Sequence, residues 1–377
     1  VIPVTIVSAA AVAGLGDNLD AIWQGLMNGT CAICPVDRFD TRRYTAGIAA
    51  MVPQLADRKD EGSLQALLDL AFKDFEAVPP DARLLTATTK GAIDQLEQKM
   101  RGRPARPDEM LPGFILNCIG RRFGLADSGI NINAACASST LAVSRAASLI
   151  AHETAQTVLV CCADLLSEFV FAGFSALHAL SDTPCRPFDR NRNGLTLGEG
   201  AAALLLMSAE RAEREGRKNL GSVVGWGAAN DANHISAPDR EGSGLIMAVE
   251  QALKQASLPA EAVSAISAHG TGTVYNDLME LKAFAKVFGK RSLPVHSVKG
   301  AIGHTLGAAG GIEIALGLRS LNLQVIPPTV GFRLPETGAE ARVSHHAQPI
   351  SGDYLLSTNS GFGGINGAIL LKRANQK

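Results

Sequence analysis

Apolar and polar residues alternate along this chain in two rhythms. Short, almost unbroken apolar runs at 157–163 and 201–208 read as strands buried on both faces. Similar runs at 1–9, 83–88, 130–135, 220–229, 263–268, 294–298, 354–358 and 368–372 predict further strands. Between them, apolar residues three and four apart mark helices. Leu64, Leu67, Leu68, Leu70 and Ala71 share one side of a helix predicted over 62–75. Asp17 reads as the N-cap of a helix that runs to Met27 and closes at Asn28-Gly29. Helices are also predicted over 136–152, 242–256, 277–288 and 307–321, the last rich enough in Gly and Ala for neighbours to approach closely. Residues 34–62 mix Pro, Asp, Arg and Gly and read as a long surface excursion, and 90–110 as a polar helix plus a basic loop.

Strands that alternate with helices throughout predict an α/β layered architecture. A weak internal echo accompanies it: the strand pair near 157–163 and 201–208 is matched by a pair near 354–358 and 368–372. Two related halves are therefore expected, divided at 1–208 and 209–377.

Composition narrows the class. With 46% hydrophobic and 19% charged residues, the 377-residue chain has the balance of a soluble globular protein and can offset its ordering entropy by burial. A formal net charge of −1 gives no global attraction for nucleic acid or anionic lipid, and no apolar run has transmembrane length. The apolar start lacks the basic segment and cleavage site of a signal peptide and reads as a first buried strand. Seven cysteines form no evident disulfide framework, and Cys31 and Cys34 lack the second pair of a zinc site, so a reducing cytoplasm fits.

Four segments carry candidate chemistry. In Asn133-Ala134-Ala135-Cys136-Ala137-Ser138-Ser139 the cysteine falls where a predicted strand turns into a helix. The helix dipole at such a turn favours thiolate, although burial is the commoner fate of a lone cysteine. His269-Gly270-Thr271-Gly272-Thr273, followed by Asn276, Asp277 and Glu280, leaves a predicted strand end, where α/β folds place reactive groups. A histidine capping a turn explains it equally well, and no second His or Cys stands at metal-ligand spacing, so no metal is expected. Lys299-Gly300-Ala301-Ile302-Gly303-His304 also follows a strand; its lysine precedes the glycines, which excludes a P-loop but leaves a packing role open. Asn359-Ser360-Gly361-Phe362-Gly363-Gly364-Ile365-Asn366 is either a flexible turn or a source of backbone N–H donors for an oxyanion. Together these segments make a constellation for thioester chemistry: a thiol, two imidazoles, a lysine and a donor loop.

With these motifs in this order, the sequence resembles the β-ketoacyl-acyl-carrier-protein synthases, the elongating ketosynthases of the thiolase-fold superfamily. Trp23, Gly29 and Arg38-Phe39-Asp40, then Pro187-Phe188-Asp189 and Gly198-Glu199-Gly200, extend the resemblance over the whole chain. It implies a thiolase-like α-β-α-β-α fold, with the nucleophile in the first half and both histidine loops in the second. It implies a decarboxylative Claisen condensation with malonyl carrier protein, giving a 3-oxoacyl product and CO2 in fatty acid, polyketide or aryl-polyene-type synthesis. Cys136 would accept the acyl group. His269 and His304 would promote decarboxylation and stabilise the enolate, as neutral imidazoles poised near neutral pH. Backbone N–H groups of Cys136 and Phe362 would bind the oxyanion. Lys299 and Glu313 would hold the histidines in an electrostatic network, Asp277 and Glu280 would shape the His269 loop, and Asn366 would brace the Phe362 loop. His304, in place of the asparagine of priming synthases, favours a carrier-bound starter.

No cofactor is implied, because substrates arrive on the phosphopantetheine arm of acyl carrier protein. That carrier is the implied partner, docking on basic surface for which Arg101, Arg103, Arg106, Arg121 and Arg122 are candidates by charge; a solvated face explains them equally well. A homodimer is implied, with a heterodimer containing a chain-length subunit as an alternative. In that alternative the chain itself could be the non-catalytic subunit, but such subunits lose the nucleophile that this chain keeps. A thiolase would need a second cysteine as base, and none follows Cys185. The stretch 84–118 departs from the elongating pattern: Thr88-Thr89-Lys90-Gly91 stands where a more glycine-rich segment is usual, somewhat as in ketosynthases of aryl-polyene or related pathways.

Overall fold

The computed structural model describes residues 3–56 and 63–374. The predicted strand residues Val1 and Ile2 and the predicted helix start Gly62 lie outside them, as do 57–62 of the surface excursion. Ten strands form the main sheet: β1 (Val4–Ala13), β2 (Arg83–Ala87), β3 (Ile130–Asn131), β4 (Thr157–Asp164), β5 (Gly200–Ser208), β6 (Gly221–Asn230), β7 (Val263–Ser267), β8 (Val295–His296), β9 (Tyr354–Gly361) and β10 (Ile365–Lys372). Their spatial order is β8-β7-β9-β10-β6-β1-β5-β4-β2-β3.

That order is a repeat. Read outward from the middle, β1-β5-β4-β2-β3 and β6-β10-β9-β7-β8 visit corresponding strands in the same sequence. Pairing directions agree as well: the two inner contacts of each set are antiparallel and the two outer ones parallel. The sets meet antiparallel over three residue pairs, Val4–Val223, Thr5–Ser222 and Ile6–Gly221. The echo between 157–208 and 354–372 is the β4–β5 and β9–β10 pairing.

Side-chain alternation sorts the core into layers. Val158, Val160, Cys162, Leu204 and Leu206 face a central layer, whereas Leu159, Cys161, Leu205 and Met207 face an outer one. Helices Ser138–Ala151 and Ala309–Leu323 fill the centre and pack on each other. Their close approach needs glycine: a Cβ at Gly310 would lie 2.1 Å from Thr140 Oγ1, and one at Gly311 2.4 Å from Cys162 Sγ. Helices Ser63–Ala71 and Phe114–Phe123 cover the first half, and Ser243–Ala256 and Val274–Phe288 the second. The result is the layered α/β architecture that the pattern predicted, in the α-β-α-β-α form that the resemblance implied.

Local details differ from expectation. Asn18 is the cap of helix Leu19–Met27, since its Oδ1 accepts from Ala21 N at 2.8 Å; Asp17 stands one residue too early. Helix Ser63–Ala71 stops short of Phe75. The predicted strand 130–135 contracts to two residues, because Asn131 Oδ1 takes the Thr88 N–H and the chain then turns. Helix Phe114–Phe123, which begins in the divergent stretch and runs past its end, and helix Glu168–Ala176 were not expected. The described part of the excursion holds a small hairpin, Ile33–Pro35 with Ile48–Ala50, and buries Ala46, Ala49, Val52 and Leu55. Arg38 anchors it through a two-pronged ion pair with the buried Glu199, at 2.5 and 2.6 Å.

Candidate active site

Four strand ends converge on one point. After β3 the chain turns through Ala135, whose φ of 49° is a left-handed conformation costing a non-glycine residue about 1–3 kcal/mol. Ser138 holds that turn: its Oγ accepts from Ala134 N at 2.9 Å and donates to Ala135 O at 2.6 Å. The turn presents Cys136 just ahead of helix Ser138–Ala151, whose cap is Ala137. The cysteine therefore precedes the helix instead of opening it as expected.

His269 follows β7 on a loop folded around two carboxylates. Glu280 accepts the N–H groups of His269 and Gly270, both at 2.7 Å, and Asn276 Nδ2 at 2.9 Å. Asp277 accepts from Phe188 N at 2.7 Å and from Thr271 N at 3.1 Å. His304 is fixed through its backbone: its N–H donates to Thr196 O at 2.7 Å and its carbonyl accepts from Gly198 N at 2.9 Å. The two imidazoles lie edge to face with centroids 5.1 Å apart. Cys136 Sγ and a ring nitrogen of each histidine all fall within 4.8 Å of one another. Among the described residues this is the only trio of His, Cys or carboxylate groups close enough to embrace a metal ion.

Behind the histidines runs a buried polar chain. Lys299 Nζ donates to Glu313 Oε1 and to the His269 carbonyl, each at 2.5 Å. Glu313 Oε2 accepts Asn359 Nδ2 at 2.7 Å, and that amide nitrogen also lies 3.2 Å from His269 Nδ1. Thr140 donates to Asn359 Oδ1, which fixes the amide orientation. An amide nitrogen only donates, so His269 Nδ1 is the acceptor and the proton of a neutral ring sits on Nε2. Both ring nitrogens of His304 are buried without a partner among the described residues, leaving them to whatever occupies the site.

Electrostatics favour uncharged groups. Burial, then Lys299, then His304 push His269 well below the ordinary imidazole range; burial, Lys299 and Lys90 do the same to His304. Both rings are neutral far beyond the expected poise near neutrality. Burial pushes the Cys136 thiol up to about 11, against the pull of Lys299 and Lys90. The anticipated lowering by the helix dipole is thus outweighed by desolvation, and the resting group is a thiol.

Cys136 stands where two cavities meet. One, of about 370 Å³, reaches both histidines and includes Thr271, Asn276 and Phe362. The other, of about 600 Å³, has a mainly apolar wall. Phe362 belongs to both and stacks on Phe174 at 5.6 Å. Neither the Cys136 N–H nor the Phe362 N–H meets an acceptor among the described residues. Gly361 keeps the space between them open, since a Cβ there would sit 3.2 Å from Cys136 N and 2.9 Å from Ala134 O. Asn366 steadies this loop by accepting from Ser360 Oγ at 2.6 Å and donating to Gly364 O at 3.0 Å.

All the residues singled out from sequence thus gather here, except the arginines. Arg101 pairs with Glu168 and Arg122 with Asp69, and none of the five lines either cavity. Sequence reasoning missed the roles of Asn359 and Thr140. Thr140 lies one helical turn beyond Cys136, a spacing that could have drawn attention to it.

Profiles of the families described as "Beta-ketoacyl synthase, N-terminal domain" and "Beta-ketoacyl synthase, C-terminal domain" match residues 86–212 and 220–333. The chain is 30% identical to a 3-oxoacyl-[acyl-carrier-protein] synthase 2 of Coxiella burnetii, over 98% of each protein. Among solved structures, it is similar to a β-ketoacyl synthase from Burkholderia phymatum, with 28% identity, a TM-score of 0.87 and full coverage of both chains. It is also similar to a ketosynthase in complex with its chain length factor from Xenorhabdus doucetiae, with 26% identity, a TM-score of 0.84, and coverage of 99% of this chain and 98% of the other.

Proposed function

The chain belongs to the β-ketoacyl synthase family, and from that premise we propose that it is a 3-oxoacyl-[acyl-carrier-protein] synthase working through Cys136, His269 and His304. The observation that carries this reading is the meeting of one thiol and two neutral imidazoles at the junction of two cavities. Cys136 gives up its proton as it attacks a carrier-bound acyl thioester. The Cys136 and Phe362 N–H groups receive the oxyanion, and the carrier thiol leaves with a proton. A malonyl thioester then enters beside the histidines. Its carboxylate leaves as CO2, and the electron pair moves onto the thioester as an enolate. The imidazole N–H groups stabilise that enolate without quenching it, because a neutral imidazole is a weak acid. The carbanion attacks the acyl-Cys136 carbonyl, the Cys136 thiolate leaves, and a 3-oxoacyl thioester results.

Lys299, Glu313 and Asn359 act as positioning residues in this scheme. Asp277, Glu280 and Asn366 shape the loops. The substrates bring their own phosphopantetheine arm, so no resident cofactor is invoked. Acyl carrier protein is the proposed partner. The assembly is a dimer of two copies or of this chain with a chain-length subunit, a reading supported by the exposed edge at β3, where Ile130 is 63% exposed. Among the described residues no helix is long and apolar enough to cross a membrane, and the free cysteines fit the proposed cytoplasmic setting. The test is mass spectrometry of the protein after incubation with acyl carrier protein, together with assay of the condensation. Acylation at Cys136 and a 3-oxoacyl product that Cys136→Ala abolishes are expected; intact turnover by Cys136→Ala rejects the mechanism.

A further inference from the structure

We infer that the larger cavity is built for an acyl chain carrying an oxygen acceptor, and that Lys90 selects it. The inference rests on the ketosynthase reading and names its substrate class. Both histidines line the smaller cavity alone, so the carbanion forms there. The chain on Cys136 must then extend into the larger one. Phe169, Val170, Phe174, Leu177, Leu306 and Phe362 would suit a plain alkyl chain. Lys90 does not. Among the described residues it is the one charged side chain on that wall, and it is half-buried.

The lysine is held, not merely nearby. Gly91 N donates to Thr88 Oγ1 at 3.0 Å, Thr88 Oγ1 donates to Asp164 Oδ1 at 2.9 Å, and Asn133 Nδ2 donates to Thr89 O at 3.0 Å. These bonds pin the turn that carries it. Among the described residues Lys90 Nζ makes one hydrogen bond, to Thr89 Oγ1 at 2.9 Å, and the Thr89 hydroxyl in turn donates to Asp164 Oδ2 at 2.9 Å. Asp164 is buried and already taken by Thr88, Thr89 and the Gly307 N–H, at 2.7 Å. Among the described residues no carboxylate comes within ion-pair reach of Lys90. An ammonium has three donors, so two remain for the cavity. An alkyl chain that fills the space displaces the water on those donors and returns no acceptor. A ketone or carboxylate oxygen restores one.

The test compares three carrier-bound starters of equal length: hexanoyl, 5-oxohexanoyl and adipoyl. For the wild type, kcat/KM for the ketone, the carboxylate or both should exceed that for hexanoyl by about 10-fold or more. The carboxylate arm separates a need for charge from a need for a neutral acceptor. Lys90→Met should abolish the preference by slowing the oxygenated chains and quickening hexanoyl, whereas Lys90→Arg should keep it. Equal wild-type handling of all three starters overturns the proposal, and that comparison needs no variant. So does a Lys90→Met variant that slows all three by one factor, which would assign Lys90 to the cysteine alone. Absence of acyl mass on Cys136 from every starter overturns the ketosynthase reading, and this inference with it.

Discussion

Replacing Lys299 by methionine removes the cation from the centre of the polar chain. The Lys299 and Glu313 side chains are 1% and 2% exposed, and they meet at 2.5 Å as a buried ion pair. Without the ammonium, Glu313 keeps one donor among the described residues, Asn359 Nδ2 at 2.7 Å, and its carboxylate is left buried and uncompensated. Breaking one half of such a pair destabilises by about 3–5 kcal/mol. Burial already raises the Glu313 pKa, and Lys299 is the main influence lowering it, so the variant raises it further. The sign of the pH dependence follows. A carboxyl whose folded pKa stands above its ordinary 4.5 contributes stability below that value and loses it as pH rises through the folded pKa. The gap between wild type and Lys299→Met, measured by urea unfolding, should therefore be small near pH 4.5 and widen towards pH 8. Lys299→Met/Glu313→Gln replaces the carboxylate by an amide that still accepts from Asn359, and should return to within about 1–2 kcal/mol of wild type. Neither variant should regain full condensation, because His269 has lost the donor to its carbonyl and both imidazoles have lost the cation that adds to burial in holding them neutral. A loss below about 1 kcal/mol in the single variant, or a loss flat between pH 5 and 8, would refute the reasoning.

Three further outcomes are expected. Gly361→Ala should lower kcat by about 100-fold with little change in unfolding, because its Cβ intrudes 3.2 Å from Cys136 N; unchanged kcat removes that N–H from the oxyanion site. Iodoacetamide should label Cys136 faster than the sealed Cys161 and Cys162, and its rate should keep climbing with pH towards about 11; a plateau near pH 7 would mean that the helix dipole outweighs burial. His296 is buried with neither ring nitrogen partnered among the described residues, and burial lowers its pKa to about 4 from 6.5. A depressed base loses stability as pH falls from 6.5 towards 4, by about 3 kcal/mol; His296→Leu should flatten that part of the acid unfolding curve, and an unchanged slope would place its origin elsewhere.

Much of the site was legible because its motifs are local. A strand pattern followed at once by a reactive residue and small neighbours marks Cys136, His269, Lys299 and Phe362 in the linear chain. The repeat was legible in the same way, since β4–β5 and β9–β10 carry matching apolar runs. Helix Phe114–Phe123 was obscured by the polar, basic residues around it, and its fit depends on Ile115 and Ile119 meeting the outer face of the first half. Asn18 displaced Asp17 as cap because neighbouring residues of similar capping strength are told apart only by where the helix begins.

Composition, periodicity and the order of the motifs determined the layered α/β architecture, the matching strand pairs within it and the residue types available for thioester chemistry, since these depend on near neighbours in the chain. The tertiary structure decided what depends on surroundings. It set the Nδ1 acceptor role of His269 through an asparagine 90 positions away. It kept the thiol and both imidazoles uncharged by burying them, where the sequence had suggested a lowered thiol pKa and histidines poised near neutrality. It also placed Lys90 on the wall of a mainly apolar cavity, linked to the buried Asp164 only through the Thr89 hydroxyl among the described residues. Desolvation and the distance between remote side chains are properties of the packed interior, and a pattern along the chain carries neither.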